Sequence, residues 1–259
     1  MSAQASDYLE NALLDHVLGV AALSQPTNLY VALYTSNPAD DNSGTECSGG
    51  SYARVNHNSW ATASGRASSN SGTISFPTAT GTWGTVTHFG VLDASTGGNL
   101  LFYGALSASE SITSGKQYRI ASGDLDVSFD AGGFTTYLAN ELLDHVLKVG
   151  AYTPPSIYVG LYTTATADAG TGTECAGTSY ARVAASSWNA ASGGVASNDG
   201  AITFAAAGAG DWGTLTHFAL LDASSSGNML IHAALDSSLA PGSGNVVEFA
   251  DTALDVTLT

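Results

Sequence analysis

The sequence predicts a mainly β protein made of two similar antiparallel β-sandwich domains, each opening with one helix. Three observations carry this. The 259-residue chain repeats itself, each repeat holds one run of helical periodicity, and six or seven short alternating segments follow that run. Tyr8–Leu18 returns as Tyr137–Leu147, with nine of eleven residues identical at an offset of 129. Gly44–Val55 returns as Gly172–Val183, with ten of twelve identical at an offset of 128. Trp83–Phe89 returns as Trp212–Phe218, and Asp126 as Asp255. The period is too long for a solenoid. The expected division is a first module, 1–131, and a second, 132–259. They join at Asp130–Phe134, where Gly132 and Gly133 can bend the backbone.

Each module opens with its helix. Ser6 or Asp7 can cap the first, and Gly19 sits where a C′ glycine would end it. Leu9, Leu13 and Val17 recur every four residues, and Leu14 and Leu18 widen the apolar stripe. The second helix repeats this with Leu138, Leu142 and Val146 and is expected to end near Gly150. The first strands are the Tyr-rich runs Leu29–Tyr34 and Ile157–Tyr162. Later strands in the first module are expected at Tyr52–Val55, Thr73–Phe76, Val86–Leu92, Leu100–Leu106, Tyr118–Ile120 and Leu125–Phe129. Gly, Ser, Asn and Asp clusters separate them, and Asp93–Asn99 reads as a hairpin loop. A helix followed by such strands suggests a compact sandwich with the helix on one side or end.

Composition narrows the function classes. Six Lys and Arg stand against 22 Asp and Glu, a net charge of −16. That excludes direct nucleic-acid binding, which needs clustered cations, and a polybasic membrane-surface role. No apolar run is long enough to span a membrane, and residues 1–7 show no Sec signal pattern. Charged residues are only 11%, but the hydrophobic fraction of 44% supplies a core.

The residues that could carry chemistry read as structural. Asp15-His16 and Asp144-His145 are adjacent on a helix and point in different directions, which is poor geometry for a dyad. His88 and His217 sit in Thr-His-Phe strands as packed or edge histidines. No His-x-His or His-x-x-x-His metal spacing, nucleophile elbow or phosphate-binding glycine pattern occurs. No catalytic residue, metal or cofactor is therefore expected. Asp40–Glu46 alternates oxygen ligands in a way that suits Ca²⁺. Asp168–Glu174 lacks the second acid and the Asn, so an acidic surface loop is the better reading. Cys47 and Cys175 are equivalent positions, read as small half-buried thiols or as cross-links between neighbouring subunits. Arg54 and Arg182 also correspond and are expected to pair structurally with Glu46 and Glu174, since the guanidinium fork suits bidentate contact. Trp60, Trp188, Trp83 and Trp212 read as core anchors, with a sugar-binding platform as the rival.

In order, Tyr8–Gly19, Tyr30–Tyr34, Gly44–Arg54 and Trp83–Gly90 resemble a small family of tailed-bacteriophage proteins usually labelled phage tail fibre or virion structural protein. The resemblance covers most of each module. Members are typically one module, so the tandem is a departure, as is Cys47 at a position more often apolar. The resemblance implies no catalytic residues. It implies a non-enzymatic structural protein of the virion, assembled in the host cytoplasm. Its place would be the particle surface, as a tail-fibre-type appendage or a head decoration (cement) protein. Partners would be capsid or tail proteins and copies of itself, in a symmetric oligomer. The alternative is a carbohydrate-binding adhesin contacting a host-surface glycan. A fibre shaft needs heptads or a long repetitive strand pattern, and neither is present, so a globular module is expected.

Overall fold

Each helix is fixed by a hydroxyl at its start. In the computed structural model, which describes residues 1–131, 133–208 and 212–258, α1 spans Asp7–Val17 and α2 spans Thr136–Val146. Gly132, one of the two expected bending glycines, lies outside the described residues, as does Thr259. Ser6 Oγ accepts the Leu9 N–H at 3.3 Å and donates to the Leu100 carbonyl. Thr135 Oγ1 does the same with Leu138 N–H at 3.3 Å and Met229 O at 2.7 Å. The cap is therefore Ser6 rather than Asp7, and it ties the helix to a strand at the same time. Gly19 takes the left-handed C′ conformation at φ 76°. In α2 that place belongs to Lys148, at φ 65°, and not to Gly150. Val20 N–H and Val149 N–H close the two ends onto Asp15 O and Asp144 O, each at 2.8 Å. The apolar stripe is buried throughout: Leu9, Leu13, Leu14, Val17 and Leu18 in α1, with their counterparts in α2.

The chain divides into two compact units that are not contiguous in sequence. Unit 1 is Met1–Glu10, Ser24–Asp130 and Asn140–Tyr152; unit 2 is Asn11–Leu23, Ala131–Ala139 and Thr153–Thr259. Most of α1 thus belongs to the unit built from the second half of the sequence, and most of α2 to the unit built from the first half. Hydrogen bonds inside each unit fix this. In unit 2, Asn11 Oδ1 accepts Gly194 N–H at 2.9 Å and Asp15 Oδ1 accepts Ala191 N–H at 2.7 Å. In unit 1, Asn140 Oδ1 accepts Arg66 N–H at 2.9 Å and Asp144 Oδ1 accepts Ala63 N–H at 2.7 Å.

Unit 1 holds β1 (Ser2–Ala5), β2 (Tyr30–Tyr34), β3 (Val55–Asn56), β4 (Ala67–Ser69), β5 (Ile74–Thr78), β6 (Gly84–Leu92), β7 (Leu100–Ile112), β8 (Gln117–Ile120) and β9 (Asp126–Ser128). Seven of these form one sheet in the order β3-β2-β6-β7-β1-β9-β4, and β5 pairs with β8. Pairing is antiparallel except that β1 runs parallel to β9, with Ser2 opposite Asp126. On its other side β1 pairs with β7, with Gln4 opposite Tyr103. Gly104 makes that approach possible, because a Cβ there would fall on the Ser2 carbonyl oxygen. Both faces of β2 are buried. Val31 and Leu33 alternate with Ala32 and Tyr34, and the latter two join Leu92, Leu100 and Tyr103 in a small second core. This is why the strand reads as a near-continuous apolar run.

Unit 2 holds β10 (Tyr158–Tyr162), β11 (Val183–Ala184), β12 (Val195–Ser197), β13 (Ile202–Thr203), β14 (Leu215–Leu221), β15 (Met229–Leu239), β16 (Glu248–Phe249) and β17 (Asp255–Thr257). Its main sheet is β11-β10-β14-β15, with β12-β17 and β13-β16 as separate pairs. Ala233 stands where Gly104 stands in unit 1. The counterpart of the β1–β7 pairing is a Phe134–Ile231 bridge to β15, flanked by Thr135 N–H to Leu230 O at 2.9 Å and His232 N–H to Gly133 O at 2.8 Å.

Among the described residues the chain is mainly β, with two helices and several antiparallel sheets. Most expected strands are present, within a few residues of their expected bounds. The segment at Tyr52–Val55 is a correction. Gly49, Gly50 and Ser51 all have positive φ, Tyr52 N–H closes a turn onto Gly49 O at 2.8 Å, and the strand begins only at Val55. Among the described residues no helix is long and apolar enough to cross a membrane.

Candidate functional site

The twelve-residue repeat that opens with Gly-Thr-Glu-Cys builds a polar cluster in each unit. Gly44 lies where a Cβ would sit 2.5 Å from Asn37 O, so only glycine lets the chain pass there. Glu46 follows beside β2. Arg54 meets it in a two-pronged pair, Nε to Oε1 at 2.8 Å and Nη2 to Oε2 at 2.8 Å. Arg54 Nη1 donates twice more, to Ala94 O at 2.8 Å and Gly97 O at 2.7 Å, inside the 93–99 hairpin loop. Four of the five guanidinium N–H donors are thus committed within the unit. Tyr52 completes the cluster. Its hydroxyl donates to Glu46 Oε1 at 2.9 Å and accepts Leu33 N–H at 2.9 Å. Burial pushes the Tyr52 hydroxyl far above its ordinary range. Arg54's own hydrogen bonds to Glu46, and then the carboxylate charge against the opposing effect of burial, raise its guanidinium above the ordinary value.

Unit 2 repeats the cluster. Arg182 pairs with Glu174 at 2.8 and 2.7 Å and donates to Ala223 O and Ser226 O at 2.7 and 2.6 Å. Tyr180 takes the place of Tyr52, bonded to Glu174 at 2.9 Å and Leu161 N–H at 2.9 Å. Beneath each tyrosine lies a tryptophan edge. Tyr52 and Trp83 are 5.3 Å apart at 79°, Tyr180 and Trp212 5.4 Å apart at 87°. All four tryptophans are at least nine-tenths buried, and each indole N–H reaches a backbone carbonyl. The indole faces that a sugar platform would present are therefore inside. Among the described residues the large exposed aromatics are Tyr8 and Tyr137, at equivalent places on the two helices.

Cys47 and Cys175 are both buried and neither is in a disulfide. Each backbone N–H bonds to β2 or β10, at Leu33 O and Leu161 O. Burial, and then the Glu46 charge, push the Cys47 thiol up to about 11, well away from the reactive thiolate.

The helix histidines are structural acceptors. His16 Nδ1 receives Leu23 N–H and His145 Nδ1 receives Tyr152 N–H, both at 3.1 Å. Their neighbours Asp15 and Asp144 turn away to the loop amides described above, so neither Asp-His pair acts together. His88 and His217 each lie beside the preceding threonine hydroxyl, at 2.8 and 2.9 Å.

In the acidic loop, protein groups already use the oxygens. Tyr103 Oη donates to Asp40, Ser43 N–H donates to Asp41 at 3.0 Å, and Tyr34 Oη donates to Asn42 at 2.9 Å. In unit 2 the Asp40–Tyr103 tie becomes Asp168–His232 at 3.0 Å. Among the described residues no group of three or more His, Cys, Asp or Glu is placed to hold a metal.

Glu10 is a local cost of this loop. Burial first, then Asp40 and Asp7, raise its carboxyl from 4.5 to about 7. The unfolded chain releases that proton near pH 4.5, the folded chain only near pH 7. The stability held by the protonated form is therefore present below pH 4.5 and lost as pH rises through 7. Ala139 occupies the equivalent place in α2. Glu10→Gln is expected to raise the melting temperature at about pH 8 and leave it unchanged near pH 4. An equal change at both would remove this account.

The sequence does not point to Tyr52, Tyr180, Asn11 or Asn140, although all four fall inside the repeated motifs. Asn11 and Asn140 meet backbone amides, and each tyrosine meets a backbone amide as well as its glutamate, and amides leave no residue-type signal. The family model described as podophage GP4 fiber I protein gp80 matches residues 4–128 and again residues 133–257. No curated protein matches the chain.

Proposed function

The chain belongs to the podophage GP4 fiber I protein gp80 family, as two tandem copies. From that premise we propose that it is a non-enzymatic structural protein of a tailed-phage virion, displayed at the particle surface as a fibre-type appendage. The observation that carries this reading is the double family match over nearly the whole chain. The site geometry supports it. The scarce cations Arg54 and Arg182 are spent on loops of their own units, and the acidic-loop oxygens on neighbouring side chains and amides. The modules 1–131 and 132–259 are the units of duplication, and the partners are other virion proteins and further copies of the chain. A head decoration role uses the same globular surface but lacks the family's fibre description.

Antibody labelling and reconstruction of intact virions test this. Density on the tail supports the appendage. Density confined to the head would make it a decoration protein, and no density on any particle would end the proposal. Specific retention on a glycan array would favour the adhesin reading.

Cys47 and Cys175 act in this reading as core thiols. Non-reducing electrophoresis of virions is expected to show the chain at its monomer mass of 26.1 kDa. Thiol reagents are expected to label it only after unfolding. A ladder of higher bands would instead establish bridges to neighbouring subunits.

A further inference from the structure

The Asn-x-x-x-Asp face of each helix and the amide pair of each tight turn form a matched donor and acceptor. Asn11 and Asp15 lie four residues apart, on one helix face. Their partners, the N–H groups of Gly194 and Ala191, flank a turn in which Gly193 and Gly194 have φ of 59° and 70°. The turn at Ala63 to Ala67 has the same build, with Gly65 and Arg66 at 61° and 72°. Two consecutive positive φ values point both amides outward for an acceptor. The distances agree in the two units, 2.9 and 2.7 Å in each. Neither helix bonds the turn of its own sequence module. Each bonds the turn of the other.

We propose that this helix face and this turn are a module-pairing interface. Its partner is the opening helix of another module of the same kind, supplied here by the other half of the chain and equally well by a second copy. The duplication made the pairing intramolecular. Because the two halves share one chain, self-closure is favoured at ordinary concentrations. The two grips are unequal. In unit 1, Gln25 Nε2 also donates to His145 O at 3.1 Å and Gly150 O at 2.8 Å, and Lys148 Nζ donates to Thr27 O. Pro154 stands at the matching place in the second module and has no such donor. Gly19 likewise stands at the place of Lys148, so these side-chain bonds have no counterpart in unit 2.

The test uses the full chain with Cys47→Ala and Cys175→Ala and a protease site inserted at the join. Asp15→Cys with Ala191→Cys is oxidised and then cut. Asp15→Cys with Ala63→Cys is treated in the same way. The expected result is one full-length band on a non-reducing gel for the first pair and half-length bands for the second. The second pair gives half-length bands in either case, because both its cysteines lie in the first half, so half-length bands for the first pair, with the second pair oxidised within its half, would overturn the exchange. Without introduced cysteines, the cut chain is expected to elute as one species, and separated halves would overturn the pairing. Tagged and untagged cut chains are then mixed, unfolded and refolded together. Pairs of two first halves are expected, and their absence would overturn the fit to a second copy.

Discussion

Arg54→Ala is expected to lower stability by about 3 kcal/mol, the lower end of the cost of breaking a buried ion pair. The Arg54 side chain is 8% exposed and that of Glu46 26%, so water reaches the abandoned carboxylate in part. The loss is not confined to the pair. Ala94 O and Gly97 O lose their donor, and the 93–99 loop loses its tie to the Gly44–Val55 segment. The corresponding fall in melting temperature is roughly 10 °C. Arg54→Lys is expected to recover little, because one ammonium cannot reach both carboxylate oxygens and both carbonyls. Arg182→Ala should behave alike in unit 2. A melting temperature within a degree of the parent chain, for either alanine variant, would show the guanidinium to be dispensable.

Trp83→Ala is expected to cost about 3–5 kcal/mol, the range for deleting a buried tryptophan. The ring is 4% exposed, sits edge-on to Tyr52, and donates to Gly50 O at 2.9 Å. Its removal leaves a cavity under the hydroxyl that positions Glu46. Trp83→Ala and Arg54→Ala should therefore be non-additive, with a coupling of about 0.5–3 kcal/mol. Chemical denaturation of the two single variants and the double variant measures this. Strict additivity would mean that the aromatic and ionic layers of the cluster are independent.

The helices and central strands were legible because their signals are local. Leu9, Leu13 and Val17 repeat at helical spacing, and Tyr30–Tyr34 is apolar because both faces are covered. The pair Glu46–Arg54 was legible because charged residues are scarce and these two recur together. Strand β1, in Ser-Ala-Gln-Ala, carries no strand signal. It forms because β7 and β9 offer edges on either side of it and Gly104 leaves it room. Tyr52 looked like strand and is a turn residue, because Ser51 adopts a positive φ that its residue type does not advertise. Asp15 drew attention for the histidine beside it. Its partner is an amide N–H, which every residue but proline carries, so the sequence could not reveal which turn it meets.

Exchanged helices also set a schedule for synthesis. Asp144 and Ala63 are 81 residues apart, but Asp15 and Ala191 are 176 apart. At about 5–20 residues per second, α1 waits on the order of 9–35 s for its turn to be translated. During that time Leu13, Leu14, Val17 and Leu18 have left the ribosome with unit 2 still incomplete around them. Unit 1 receives its helix first, and unit 2 closes last on a helix made at the very beginning. A ribosome that stalls before Ala191 releases an incompletely covered apolar helix, the kind of surface that chaperones bind and that aggregates in their absence.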